Sequence, residues 1–560
     1  MWAYVVASDS SFSVFDLAEF WALFSRGGES ITTEGMLPSL RSLVAKVQRK
    51  VSTDLYGVEK ISATVDGWTS KAGNGHTTLT LHWIDSEFTM QNAVLGAPPL
   101  EESATAAYLK TVLSKRMADF GVSLDSIIAI CADRGANYQA TLRRELRLPT
   151  MDCICHLLDG AMKQVSEVYF APTIAWAQTL VLHFKRSPAS KKLLRSMQQQ
   201  RASPTLGLKS ASQTRWAFFV PMFQRILDVW EDMEAMATSG NFAHNKIRRL
   251  WRNIGEDDHE DDNNTPKRSD MKAIVAVMDM VRLRIEVLQG TCCIGQVLPT
   301  LLCLYSSMKN PIDEDVPRLQ KELYRAIREK LSQRFAWADL PGAWYRGMIL
   351  DPRFKRFNPT AMDLPTPLDR QWPKIIRAQE KELLKELKFP TLASPTSPAT
   401  LDEEEENRND CDLPEGHHAL PIPEDEALFS TPTKKRMTSE LARMLYGQTL
   451  PSLSPQQETP PLEQQLNSYL AAPPIDVTHD PLSWWKSNAN RFPDVARLAR
   501  AYLAIQVSAA ASERVWSIAG NQVTKKRYSM SPATLDDLVF LKCNLARRTD
   551  ESGPEIRQEM

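Results

Sequence analysis

A chain of 560 residues with 43% hydrophobic content is too long for one simple domain, and the usual prior of roughly 150 residues per domain suggests three or four units or one large domain carrying an insertion. The net charge of −1 gives no compositional sign of a nucleic-acid partner, and eight cysteines without regular spacing fit a reducing compartment better than a disulfide framework. No basic region precedes an apolar one at Met1–Val6, and no apolar run approaches the ~18 residues of a membrane helix, so the chain reads as soluble and intracellular, without signal peptide or membrane partner.

Charge is nevertheless patterned. Basic clusters lie at Arg143–Arg144, Lys191–Lys192, Arg248–Arg249 and Lys525–Arg527, and acidic runs at Glu256–Asp262 and Asp402–Glu406. Each alone reads as a solvated surface, but acidic linkers can mask a basic face on the folded part.

Residues 1–55 read as a helical region, clearest where Leu40, Leu43, Val44 and Val47 recur at helical spacing. From Ile61 the pattern changes. Ile61–Val65 is β-rich and ends in Asp66-Gly67-Trp68; Thr77–Ile84 alternates and turns at Asp85-Ser86-Glu87 into Phe88–Leu95, which predicts three strands with a hairpin. A helix is expected over Ala104–Phe120, ended by Gly121. Ile127–Ala132 is a continuous apolar run bounded by Asp133, as in a strand buried on both faces. A helix over 138–147 and a strand at Asp152–Cys155, running into a helix at His156, complete a β-β-β-α-β-α-β order. That is the order of an RNase H-like core lacking its final helix.

Residues 56–165 are thus the first part of the core, and 166–390 form a large all-α insertion rich in Trp, Arg and Leu. Residues 391–475, rich in Pro, Ser, Thr and Glu, read as a disordered linker. Order returns in 476–548, with helices from Pro493, over Ser508–Ala519 with Gly520 just beyond, and over Pro532–Leu545; 549–560 is a tail. The expected fold is α/β, an RNase H-like core interrupted by the insertion and closed by a C-terminal helical segment.

Asp66 and Asp133 end strands that are neighbours in such a sheet, so two carboxylates meet at one sheet edge. Two-metal phosphodiester chemistry uses this arrangement, with Mg²⁺ or Mn²⁺ ions about 3.5–4 Å apart on acidic oxygens. A third carboxylate normally comes from a helix. Glu513, after the small-residue run Ser508–Ser512 that permits close packing on the sheet, is the candidate. Taken singly, an Asp before Gly is more often a turn residue than a ligand.

Seven short blocks in order resemble the hAT transposase superfamily: Asp66-Gly67-Trp68-Thr69-Ser70, Cys131-Ala132-Asp133 with Asn137, Cys153-Ile154-Cys155-His156-Leu157, Thr214-Arg215-Trp216, Leu350-Asp351-Pro352-Arg353-Phe354-Lys355, Trp484-Trp485-Lys486 and Ser512-Glu513-Arg514-Val515-Trp516-Ser517. The resemblance implies that Asp66, Asp133 and Glu513 are catalytic and hold the metal ions. It implies that the helical region is the family's insertion, with Arg215 on a phosphate and Trp216 stacked on an extruded base. It implies a nuclear, DNA-binding, self-associating protein that cuts transposon ends and transfers strands. His156 receives a supporting role beside the active site and the DNA, and Lys525, Lys526 and Arg527 form a basic DNA-binding patch. Cys153 and His156 lack a second ligand pair at motif spacing, so no structural zinc is expected. Trp485, Phe492, Trp516, Leu538, Phe540 and Leu541 offer more apolar surface than a terminal segment should hide alone, which marks a dimerisation surface.

Two departures stand out. The superfamily usually has Asp-Asn-Ala where this sequence has Asp133-Arg134-Gly135, and no BED-type zinc finger precedes the core. These favour the rival reading of a domesticated DNA-associated dimer that no longer cuts. A nuclease acting on RNA–DNA hybrids is disfavoured by the insertion and the Trp484-Trp485 block. No small-molecule substrate is expected.

Overall fold

A computed structural model describes residues 33–70, 73–210, 219–238, 251, 267–290, 294–309, 316–388, 462–522 and 530–545. Elements are numbered among these residues. Helix α1 (Thr33–Leu55) precedes strands β1 (Ile61–Thr69), β2 (Gly75–Ile84), β3 (Met90–Val94) and the short β4 (Pro99–Leu100). Then come α2 (Ala106–Asp119), β5 (Ile127–Ala132), α3 (Ala136–Ala140) running into a wide turn at Thr141–Glu145, and β6 (Thr150–Asp152). The sheet order is β3-β2-β1-β5-β6 with β4 on β2; β1, β2 and β3 pair antiparallel, and β1, β5 and β6 parallel. This is the expected RNase H-like order. The fifth strand lies two residues before its expected start, because Thr150–Asp152 pair with Ile130–Ala132 while Cys153 already caps the next helix.

Helix α4 (Ile154–Tyr169) leads from the core into the insertion, whose described elements are helices joined by irregular stretches: α5 (Ala171–Arg186), α6 (Pro188–Gln200), α7 (Val220–Asp228), α8 (Trp230–Thr238), α9 (Arg268–Leu288), α10 (Val297–Ser307), α11 (Arg318–Arg334), α12 (Gly342–Leu350) and α13 (Leu368–Lys388). The C-terminal part supplies α14 (Leu462–Ala471), α15 (Pro481–Asn488), α16 (Pro493–Leu503), α17 (Ala510–Gln522) and α18 (Pro532–Leu545). Most of the expected linker lies outside the described residues, but α14 corrects its last part. Tyr469 of α14 is fully buried and its hydroxyl donates to the Ile349 carbonyl at 3.0 Å, so this turn of chain is held by the insertion.

Alternation along β1 explains how the parts join. Ile61, Ala63 and Val65 face one core with Leu40 and Val51 of α1, Leu113 of α2 and Leu538 and Leu541 of α18. On the other face small polar side chains leave room for the returning chain. Thr64 Oγ1 and Ser512 Oγ of α17 lie 2.9 Å apart, and the Gln506 N–H donates to Ser62 Oγ at 3.2 Å. The Ile154 N–H donates to the Val507 carbonyl at 3.0 Å. On the first face Asn544 of α18 exchanges hydrogen bonds with the Val94 backbone, and Asp536 takes the Ala97 N–H and pairs with Arg116. The C-terminal segment therefore closes both faces of a sheet built far earlier in the chain, with 448 residues separating Thr64 from Ser512. Helix α17 runs on through Gly520, expected beyond its end, because Ala519 and Gln522 are both buried and hold its last turn.

The six apolar residues expected at a dimer surface are instead inside the protomer. Trp485, Phe492, Trp516, Leu538, Phe540 and Leu541 are each at most 8% exposed. Trp485 Nε1 donates to the Leu350 carbonyl at 2.9 Å, and the ring lies 4.8 Å from that of Tyr469. Phe540 meets Phe120. The sheet and the insertion, remote in sequence, cover what a terminal segment could not cover alone.

Candidate active site

Strand β1 carries Asp66, the turn after β5 carries Asp133, and α17 carries Glu513 in its first turn, all half-buried at the carboxyl edge of the parallel strands. Asp66 Oδ1 accepts the Gly67 N–H at 2.9 Å and Oδ2 accepts the Trp516 indole N–H at 3.0 Å. Trp516, one helical turn beyond Glu513, stacks on Trp68 with ring centroids 5.5 Å apart. Asp133 Oδ1 accepts the Gly135 N–H at 2.9 Å, and Gln139 donates to its carbonyl. Glu513 Oε1 is buried without a hydrogen-bond donor and stands 3.8 Å from Nε2 of His156, in the first turn of α4.

The electrostatics couple these groups. Burial raises Asp66 to about 6, with the Asp133 charge adding to it and the Gly67, His156 and Trp516 groups opposing. Burial likewise raises Glu513 to about 7, against the opposing pull of His156 and with the charge of Asp66 contributing. His156 is held at about 9 despite its burial, by the neighbouring Cys153 and the charges of Glu513 and Asp133. The imidazolium thus partly neutralises a cluster of carboxylates.

Carboxylate oxygens are the donors a hard divalent cation takes, and a buried, undonated Glu513 oxygen beside two more carboxylates suits that chemistry. Among the described residues, however, no three or more His, Cys, Asp or Glu side chains stand close enough together to hold a metal ion as they are placed. Neither does any described helix have the length and apolarity to cross a membrane.

Comparison with known proteins bears on the site directly. Residues 64–154, which include Asp66 and Asp133, match the family model described as the ZBED1 RNase-like domain. Residues 465–545, which include Glu513, match the hAT family C-terminal dimerisation region. The chain is a hAT-superfamily relative. It is 23% identical to the putative AC transposase of Zea mays, over 88% of this chain and 59% of that protein. It is 22% identical to the zinc finger BED domain-containing protein RICESLEEPER 2 of Oryza sativa subsp. japonica, over 86% of this chain and 64% of that protein. It is also 25% identical to the Hobo transposase of Drosophila melanogaster, over 37% of this chain and 32% of that protein. The chain spans about three fifths of the length of the first two relatives.

In this hAT relative, the three acids picked out by sequence come to one sheet edge, and His156 joins them through Glu513. Arg215, Trp216, Lys525, Lys526 and Arg527 lie outside the described residues. Arg134, the departure beside Asp133, turns away from it. Its Nε donates to Asp152 Oδ2 at 2.8 Å, so its charge is directed to the end of β6. Two contributors escaped the sequence reading. Trp516 orients Asp66, although its aromatic character pointed to an interface. Tyr138 packs against Gly67, where an added Cβ would lie 2.6 Å from the Tyr138 hydroxyl oxygen. The signal for Tyr138 was present: a glycine inside a β-rich run often marks a close approach.

Proposed function

We propose that this chain is a nuclear, DNA-binding, self-associating hAT-type transposase that cuts DNA with Mg²⁺ or Mn²⁺ bound by Asp66, Asp133 and Glu513. The observation that carries the reading is the docking of α17 on β1, which brings the indole of Trp516 onto Asp66 and couples Glu513 to it. Bound ions would activate the attacking oxygen and stabilise the leaving one. The protein's own contribution is to fix the acceptors. Gly67 N–H and Trp516 leave Asp66 one defined orientation, Gly135 N–H does the same for Asp133, and the charge of His156, 3.8 Å from Glu513, opposes the burial that disfavours the Glu513 carboxylate. Self-association is supported by the match to a dimerisation region, with surfaces other than the six buried apolar side chains forming the contact.

Purified protein given Mn²⁺ and DNA carrying the inverted repeats that flank its own coding region should nick or hairpin that DNA. Asp66→Asn, Asp133→Asn and Glu513→Gln should each abolish cleavage and leave DNA binding intact. Binding without cleavage under either metal, even with a BED finger fused in front, would leave the non-cutting DNA-associated protein as the correct reading. Light scattering at micromolar concentration tests the oligomer, and a monomer would reject it.

A further inference from the structure

The candidate site is flanked by cations that the carboxylates do not use. Gly160 lies one turn after His156 on α4. An added Cβ there would meet the Arg334 guanidinium, with Nη1 at 2.8 Å and Cζ and Nη2 both at 3.0 Å. The guanidinium of the last residue of α11 therefore rests on bare helix backbone, and only glycine leaves it that seat. Its Nε is buried and makes no hydrogen bond among the described residues. Arg134 lies near enough for its charge to act on Arg334, so two cations share one neighbourhood. Among the described residues the countercharge is shared: Asp152 accepts from both Arg134, at 2.8 Å, and Arg143, at 3.0 Å, while Asp159 is paired with Lys163 at 2.8 Å and also attracts Arg334. Of these described groups, four are cations and two are carboxylates. Arg134 and Arg143 are about half exposed.

We infer that Arg334, with Arg134, forms a phosphate cradle at the rim of the candidate site and takes the backbone of a DNA strand. A guanidinium that makes no ion pair among the described residues, beside a second one, is the arrangement that a phosphodiester, carrying one negative charge per nucleotide, satisfies by charge-assisted hydrogen bonds. One member comes from the insertion and one from the residue after Asp133, so a strand held there is delivered to the carboxylate edge. This gives Arg134 a use that its turn away from Asp133 leaves open. The inference rests on the DNA-binding reading above and adds the surface.

The test is the salt dependence of binding by the full chain to a duplex of arbitrary sequence, read by fluorescence anisotropy between 50 and 300 mM KCl. Removing one cation that neutralises a phosphate should reduce the slope of log K against log salt by ~0.9. Arg334→Ala and Arg134→Ala should each do so, and Gly160→Ala should reproduce the Arg334→Ala direction by displacing the guanidinium without removing charge. Arg318→Ala removes the same charge from the far end of α11, where the side chain is 93% exposed, and should leave the slope unchanged. Wild-type binding with slopes indistinguishable among Arg334→Ala, Arg134→Ala and the parent overturns the cradle alone. An equal reduction in Arg318→Ala also overturns it, since net charge would then suffice. No DNA binding by the wild type overturns both the cradle and the DNA-binding reading.

Discussion

Asp66 is stabilised as an anion by two donors and yet takes up protons more readily than an exposed aspartate, because burial and the Asp133 charge outweigh the Gly67 and Trp516 hydrogen bonds. The sign of the consequence follows by linkage. A carboxyl raised from 3.8 to about 6 gives stability that is complete below the unfolded value and is lost as pH rises through about 6. Asp66→Asn mimics the protonated form, so its melting temperature should exceed the wild type's at pH 8 and converge with it near pH 4. Added Mg²⁺ should narrow the pH 8 difference by stabilising the wild type more, and chelation should restore it. Equal melting curves at pH 8 would reject the account of Asp66. Gly67 has a separate requirement. Its Cβ in Gly67→Ala would enter the Tyr138 ring, also 2.9 Å away at Cε2, and overpacking of this kind costs ~1–3 kcal/mol. Chemical denaturation should show that destabilisation, and it should shrink in the Gly67→Ala, Tyr138→Ala double variant relative to Tyr138→Ala alone. Asp66 and Asp133 were legible as candidates because both end strand-like runs and match a family block, and Glu513 because it follows the small-residue run Ser508–Ser512. The Trp516–Asp66 bond was not, since it joins atoms 450 residues apart.

At the scale of elements, the strands and long helices were readable because their burial follows period and run length. Ile127–Ala132 reads as a buried strand and is one, and Pro532–Leu545 forms the expected helix. Where the reading failed, the deciding contacts lay far away. Helix α14 is ten residues in a Pro-rich neighbourhood, and α16 and the Leu350–Lys355 turn hold it in place. Lys355 Nζ donates to the Tyr469 carbonyl at 2.6 Å, and Gln465 donates to Asp494 at 2.8 Å. The Leu350–Lys355 and Trp484–Lys486 blocks turn out to be partners in one structural joint. Asp351 is fully buried against Arg353, and Trp485 donates to the Leu350 carbonyl. Trp485→Ala should therefore act on folding, at about 3–5 kcal/mol for a buried aromatic. Urea denaturation would show an earlier midpoint. A variant of unchanged stability whose only defect is in oligomer size would restore Trp485 to an interface.

For the whole molecule, the decisive feature is that one sheet is finished by a segment that follows it hundreds of residues later in the chain. Helices α16 and α17 cover one face, α18 covers the other, and α14 and α15 clasp the insertion. Cutting the chain makes the association bimolecular, at a cost of about 4–15 kcal/mol, and the apolar burial on both faces of the sheet is expected to exceed that. Truncation before residue 480 is a poor probe of self-association for the same reason, since it removes Glu513 and uncovers both faces of the sheet. Cutting without removing is the informative experiment. A specific protease site placed between residues 389 and 461 should allow complete cleavage of the chain into two fragments. Those fragments should co-elute in gel filtration at the volume of the uncut protein, and the fluorescence of buried Trp485 and Trp516 should be unchanged. They should part only in denaturant. The cut protein should also keep the DNA affinity and salt slope of the intact one, because Arg134 and Arg334 both lie on the N-terminal fragment. Separation of the fragments in native buffer would mean that the C-terminal segment is held by its tether, and the proposal that Asp66, Asp133 and Glu513 act as one site would then lose its physical basis.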